Sequence, residues 1–224
     1  MPFLLNSEEK VRAAVAEGSV VRTSIEKEVA KTGGEILYWQ AYGGAVLLSN
    51  GGAIRTPDDM KGKKARVFGK TLGDFVTASG GAPTLISGSE QYLAYQRGTV
   101  DIGMTGVSGV KSRKLWEVMD TITVTNHADI EFVVVVNSEW WKSLPADIRG
   151  HIGDAAEVAQ EQVRDAMAQI EADAYAAAKS NGMTVVELTE QELAAWKAVS
   201  QPVYDSYLKA TGDLGKTILE AASK

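Results

Sequence analysis

An α/β fold is what this sequence predicts, and three observations carry the prediction. Short apolar, β-branched stretches alternate with helical ones between Glu35 and Val118. The run "EFVVVVN" is apolar without alternation, as a strand buried on both faces would be. A helical pattern then continues unbroken from Pro145 to Asn181.

The elements follow in order. Asn6 with Glu9 three residues on forms a capping box for a helix through Val11, Ala14 and Val15 that ends at Gly18; a second helix runs from Ser19 to Thr32 and stops at Gly33. Beyond the double glycine, "EILYWQA", "AVLLS", "KKARVF" and "TLIS" read as four strands bounded by glycine or proline. Thr56 before Pro57 pairs an N-cap with an N1 proline, so "TPDDMKG" is one helical turn closed by Gly62. Short helices follow at Thr71–Ser79 and Ser89–Arg97. The alternation favours parallel strands joined by crossover helices.

Ser138 caps a short helix carrying Trp140 and Trp141. In the long helix, Ile148, Ile152, Ala155, Ala159, Val163, Met167, Ile170 and Ala174 recur at spacings of three and four. At ~1.5 Å per residue it reaches ~50 Å, enough to cross more than one domain. Gly182 ends it, "MTVVEL" is the last strand, and Thr189 with Glu192 caps the tail helices.

Composition removes several function classes. With 29 acidic against 23 basic residues and a net charge of −6, the balance argues against a nucleic-acid partner, which would demand a basic face. The longest apolar run, Phe132 to Val136, is far below the ~18 residues of a membrane-spanning helix. Cysteine is absent, which removes disulfides, thiolate metal sites and thiol nucleophiles together. No basic segment followed by an apolar one opens the chain, so no secretory signal is present in it.

"GKKARVFGKT" ends like a phosphate-binding loop, but the pattern needs glycine where Lys64 stands. "TGVSGV" resembles a nucleophile elbow around Ser108, but Val110 occupies the required glycine position, and two histidines leave few ways to assemble a triad. His127, Asp129 and Glu131 lie two apart and would share a face of an extended segment; a polar strand end explains them more simply than a metal site, and no metal or cofactor is assigned. Trp39 stands near the end of its strand, where ligand sites of α/β folds gather.

Arg66 is the most informative residue. It lies inside a strand between Ala65 and Val67, and a buried guanidinium must be paired. Its partner is either an internal acid such as Glu90 or the carboxylate of a ligand held by two parallel hydrogen bonds.

Taken together, "TPDDMKGKKARVFG", "GGAPTLISGSEQYLAYQRGTVD", "RKLWEVMDTITVTNH" and "NSEWWKSLPADIRGHIGDAAEVA" resemble, in order and spacing, the signature stretches of the solute-binding proteins of TRAP (tripartite ATP-independent periplasmic) transporters. The resemblance covers nearly the whole chain. It implies a two-domain clam-shell of periplasmic-binding-protein type: residues 1–43 as the remainder of domain 1, 44–126 mainly domain 2, and 127–224 as hinge strand, long crossing helix and return to domain 1.

The resemblance also implies function. The protein would be periplasmic, would bind a small organic acid without turning it over, and would deliver it to the membrane permease subunits of a TRAP transporter. Arg66 matches the carboxylate-binding arginine of the family, Thr105 an asparagine that contacts ligand in sialic-acid binders, His127 a histidine near the cavity, and Ser89 and Glu90 the "SE" that opens a cleft-facing helix. Phe68, Met104 and Trp39 would suit an aromatic or aliphatic monocarboxylate. Ile102 replaces the glycine of the family's "VDG", and Val46 stands where sialic-acid binders carry a second arginine, which argues against a sialic acid.

Family members also carry a further stretch ahead of "PFLL". On that comparison the first domain is expected to be incomplete, with an open sheet edge and a tendency to self-associate. Two rivals stay open at this point: a small α/β enzyme using Arg66 for substrate and His127 or Glu90 as base, and a carboxylate-sensing module on the same fold.

Overall fold

The computed structural model describes residues 1–223. Helices α1 (Glu8–Val15) and α2 (Val20–Lys31) lead into β1 (Gly34–Ser49), a single strand of 16 residues. There follow a 3-10 turn (Pro57–Met60), β2 (Lys64–Val67), α3 (Lys70–Ala78), β3 (Ala82–Leu85), α4 (Gln91–Gln96), β4 (Ile102–Gly106) and α5 (Val107–Ser112). A second 3-10 turn (Leu115–Glu117) precedes β5 (Thr121–Val124), β6 (Asp129–Asn137) and α6 (Ser138–Ser143). The chain ends with α7 (Ala146–Ser180), β7 (Thr184–Glu187), α8 (Glu190–Ala198) and α9 (Gln201–Ala222), the last bent at Gly212.

The seven-stranded sheet runs β3-β2-β4-β1-β5-β7, with β6 paired to the first half of β1. β2 pairs in parallel with β3 and β4, and β5 with β7, but every neighbour of β1 is antiparallel to it. The sheet is therefore mixed rather than parallel as the alternation suggested, because β1 enters from outside the crossover units. The stretches expected as two strands, "EILYWQA" and "AVLLS", are one: Gly43, at φ +90°, and Gly44 kink the strand without ending it.

Alternation along the second half of β1 divides the core. Val46 and Leu48 face one layer with Ala174 and Ala178 of α7. Leu47 faces the other with Phe75 of α3, Trp196 of α8 and Val203 of α9. Helices thus cover both sheet faces here, and all five residues from Ala45 to Ser49 are buried. β6 departs from expectation. It pairs with β1 alone, and Phe132, Val133 and Val135 are 49%, 37% and 46% exposed, so "EFVVVVN" is an edge strand rather than one buried on both faces.

Several local signals near termini hold to within a residue, while α1 ends at Val15 ahead of Gly18 and α4 begins at Gln91, two residues after Ser89. Pro145 and Asn181 flank α7 as its caps, and Thr189 and Glu192 form the reciprocal capping box. Two caps move by one: Ser7, not Asn6, accepts from the Lys10 amide, and Asn137, not Ser138, accepts from the Trp140 amide. No described helix is long and apolar enough to cross a membrane.

Candidate functional site

A β-bulge builds the first wall. Ala41 faces Glu131 and Gly43 faces Ile130, so Tyr42 is the extra residue on β1 and its side chain leaves the regular alternation. Its ring meets Phe132 edge-on at 4.9 Å, and its hydroxyl accepts a 2.7 Å hydrogen bond from Arg113 Nη1. Arg113 caps the C-terminus of α5.

These groups enclose a cavity of about 230 Å³ lined by Tyr42, Arg66, Phe68, Gly88, Gln91, Thr105, Arg113, Ile130 and Phe132. Arg66 and Phe68 are two apart at β2 and point the same way, with the guanidinium carbon 5.0 Å from the Phe68 ring centre. Thr105, on β4, joins them from the same sheet face.

Arg66 is 3% exposed, yet no acid among the described residues neutralises it. Its Nε donates to the Ile86 carbonyl at 2.9 Å and its Nη1 to the Met104 carbonyl. The expected alternative partner, Glu90, instead accepts from the Ser87 hydroxyl at 2.6 Å. Nη2 has no hydrogen-bond partner among the described residues, and it is not among their sealed, unsatisfied atoms, so it opens on the cavity. Burial lowers the affinity of the Arg66 guanidinium for its proton, and the positive charge of Arg113 lowers it further. The two cations therefore repel across the cavity.

The contrast with Arg164 is instructive. That side chain is equally buried, but Glu131 neutralises it with two hydrogen bonds of 2.8 and 2.9 Å. The pair lines a second cavity of about 170 Å³ together with Asp129 and Glu171, whose Oε1 accepts from the Gly44 amide at 2.7 Å. Burial, then the charges of Glu131 and Glu171, push the Asp129 carboxyl up to about 6. Here the one buried cation already has its acid, and the surplus charge of the lining, from Asp129 and Glu171, is negative.

The remaining candidates lie elsewhere. His127 is fully buried, stacked on Phe75 at 5.3 Å, with Nδ1 2.7 Å from Thr125 Oγ1 and Nε2 unpartnered. Burial holds its imidazole neutral, pushing it down to about 3. Met104 gives only its carbonyl to Arg66; its side chain points to the opposite face, as strand alternation from Thr105 requires. Trp39 sits mid-strand, its indole N–H 3.3 Å from Glu26, and it does not line the cavity. Ser89 and Glu90 are exposed and flank Gly88 and Gln91 at the rim.

Sequence reasoning missed Tyr42 and Arg113. A signal existed in "TGVSGV": a Cβ on Gly106 would lie 2.7 Å from the Tyr42 ring, and one on Gly109 would lie 2.6 Å from the Tyr42 hydroxyl and 3.0 Å from Arg113 Nη1. Those glycines make room for the cavity wall.

Residues 1–210 match the pattern of the bacterial extracellular solute-binding proteins, family 7. The chain belongs to that family. Among curated relatives of this family 7 protein, the C4-dicarboxylate-binding periplasmic protein of Rhodobacter capsulatus is 30% identical over 95% of the chain. The match spans 63% of that relative's length. The ectoine-binding periplasmic protein of Halomonas elongata is 23% identical over 98% of the chain and 65% of its own length. The chain thus spans just under two thirds of these relatives.

Among solved structures, the periplasmic ectoine-binding protein of the Halomonas elongata TRAP transporter superposes with a TM-score of 0.92 at 22% identity, over 99% of this chain and 74% of the other. A TRAP periplasmic solute-binding protein of Shewanella oneidensis with bound succinate gives 0.91 at 26% identity, over 99% and 72%. The fold is that of TRAP periplasmic solute-binding proteins.

Proposed function

We propose that this protein captures a small organic carboxylate in the cavity between Tyr42, Arg66 and Phe132 and presents it to the membrane subunits of a TRAP-type transporter. One observation carries the reading: Arg66 is buried, held by two carbonyls instead of an acid, and keeps Nη2 turned to a cavity. Leaving a buried charge unpaired is costly, so the arrangement is poised for an anion from outside. Relatives named for binding C4-dicarboxylates support it.

In this reading Arg66 holds the carboxylate, Phe68 covers it and Thr105 donates a hydrogen bond, while Ser89 and Glu90 sit at the rim. His127, Met104 and Trp39 act through packing. Residues 1–43 belong to one lobe and 44–126 mainly to the other, with 127–224 supplying the hinge strand, the crossing helix and the return. Closure of the lobes over bound acid would shield the ion pair from water and so strengthen it. The ligand is released unchanged, with neither cofactor nor catalysis, and the protein works in the periplasm. Self-association through the exposed Val133 and Val135 side chains of β6, which do not line the cavity, is part of the same proposal.

The test is to denature the purified protein and identify by mass spectrometry what it releases, then titrate that compound back by calorimetry. A small carboxylic acid that binds stoichiometrically and is recovered intact is the expected outcome. Conversion of the compound on incubation would favour an enzyme instead.

A further inference from the structure

The cavity holds one more cation than a single carboxylate needs. Arg113, like Arg66, makes no ion pair among the described residues, and its one side-chain hydrogen bond goes to a neutral hydroxyl, that of Tyr42. Arginines on exposed surfaces often lack partners because water solvates them. Arg113 is half-buried, fixed by Tyr42, and turned into the same cavity as a second unpaired guanidinium.

Its position is built rather than incidental. The β-bulge on β1 delivers Tyr42, and Gly88 and Gly109 leave space that any side chain would take from the Arg113 guanidinium, with built Cβ atoms only 3.3 and 3.0 Å from its terminal nitrogens. The rest of the lining combines apolar Phe68, Ile130 and Phe132 with polar Tyr42, Gln91 and Thr105. That is a surface for a short carbon skeleton with a charged group at each end.

We propose that Arg113 is a specificity-determining residue: it reads a second anionic group on the ligand, so that the cavity selects dianionic organic acids over monocarboxylates of equal length. This deepens the carboxylate-binding reading and rests on it. Without ligand, two like charges face each other across the cavity; one carboxylate neutralises Arg66 alone, whereas a dianion neutralises both. Tyr42 acts as a positioning residue, holding Nη1 so that the remaining donors of Arg113 face inward.

Calorimetric titration with linear dicarboxylates of three to six carbons, each against its own half-amide, separates the possibilities. The half-amide keeps length and shape, removes one charge and leaves one acceptor oxygen where the carboxylate has two. The wild-type protein is expected to bind at least one dicarboxylate about tenfold or more tighter than its half-amide, the scale of one charged hydrogen bond. Arg113→Gln should collapse that ratio to below about threefold, whereas Arg66→Gln should weaken both ligands together. Tyr42→Phe, which keeps the charge and releases the tether, should lower the ratio by a smaller factor.

Dicarboxylates bound no better than their half-amides by the wild-type protein would overturn the proposal while leaving carboxylate binding intact. So would an unchanged ratio in folded Arg113→Gln. Failure of every acid and half-amide to bind would instead overturn the carboxylate reading, and this proposal with it.

Discussion

Arg113 donates to the Tyr42 hydroxyl at 2.7 Å, which ties the C-terminal end of α5 to the bulged residue of β1. The bond fixes one wall of the cavity that Arg66 faces, and it exists because Gly109 has no side chain to block it.

Gly109→Ala tests that dependence. Its Cβ would fall 2.6 Å from the Tyr42 hydroxyl, 2.8 Å from Thr105 Oγ1 and 3.0 Å from Arg113 Nη1, so the wall must shift. Overpacking of this kind costs roughly 1–3 kcal/mol. We expect ligand affinity to fall by more than stability does, since the displaced atoms are the cavity lining. Paired calorimetry and urea melts measure both, and a loss confined to stability would contradict the assignment.

Glu131→Gln removes the acid that neutralises Arg164, whose side chain is 3% exposed. Breaking a buried pair from one side costs about 3 kcal/mol or more, although Asp129 and Glu171 nearby soften the loss here. A lower urea midpoint with an unchanged slope is the expected readout; a midpoint within experimental error of wild type would show that the pair contributes nothing.

Asp129 sets a pH dependence. Its folded-state carboxyl titrates at about 6, above the usual carboxylate value, so between roughly pH 4 and 6 the folded chain holds more protons than the unfolded one. Its contribution is therefore greatest at acid pH and is lost as pH rises through 6. Asp129→Asn should leave stability at pH 4 nearly unchanged and raise it at pH 7.5. A variant with the wild-type pH profile would refute the burial argument.

His127 works in the opposite sense. Its imidazole is pushed down to about 3, so between that pH and about 6.5 the unfolded chain holds more protons, and stability falls as acid is added. His127→Phe keeps the ring against Phe75 and deletes the unpartnered Nε2. It should flatten the profile from pH 6.5 downward without weakening ligand binding. A large loss of affinity in this variant would return His127 to the site.

What the sequence revealed and concealed follows from the range of the interactions involved. The limits of α7 were legible because Pro145 and Asn181 act on their own backbone neighbours. Arg66 was legible because a charge within a four-residue strand needs an explanation wherever the strand lies. The continuity of β1 was hidden, since Gly43 and Gly44 look like a break and only pairing with β6 on one half and with β4 and β5 on the other carries the strand through them. The edge position of β6 is a tertiary fact, and an apolar pentapeptide gives no local sign of it. Tyr42 and Arg113 meet across 71 residues through a bulge and a helix end, neither of which leaves a periodic trace.

The most direct test of the account is calorimetry on Arg66→Lys with the acid released from the wild-type protein. Lysine keeps the charge but cannot reach two carbonyls and a ligand carboxylate at once, so affinity should fall by roughly 1.5–3 kcal/mol, about ten- to a hundredfold, with the fold intact by circular dichroism. Affinity equal to wild type in a folded Arg66→Lys protein would mean that the carboxylate is held somewhere else.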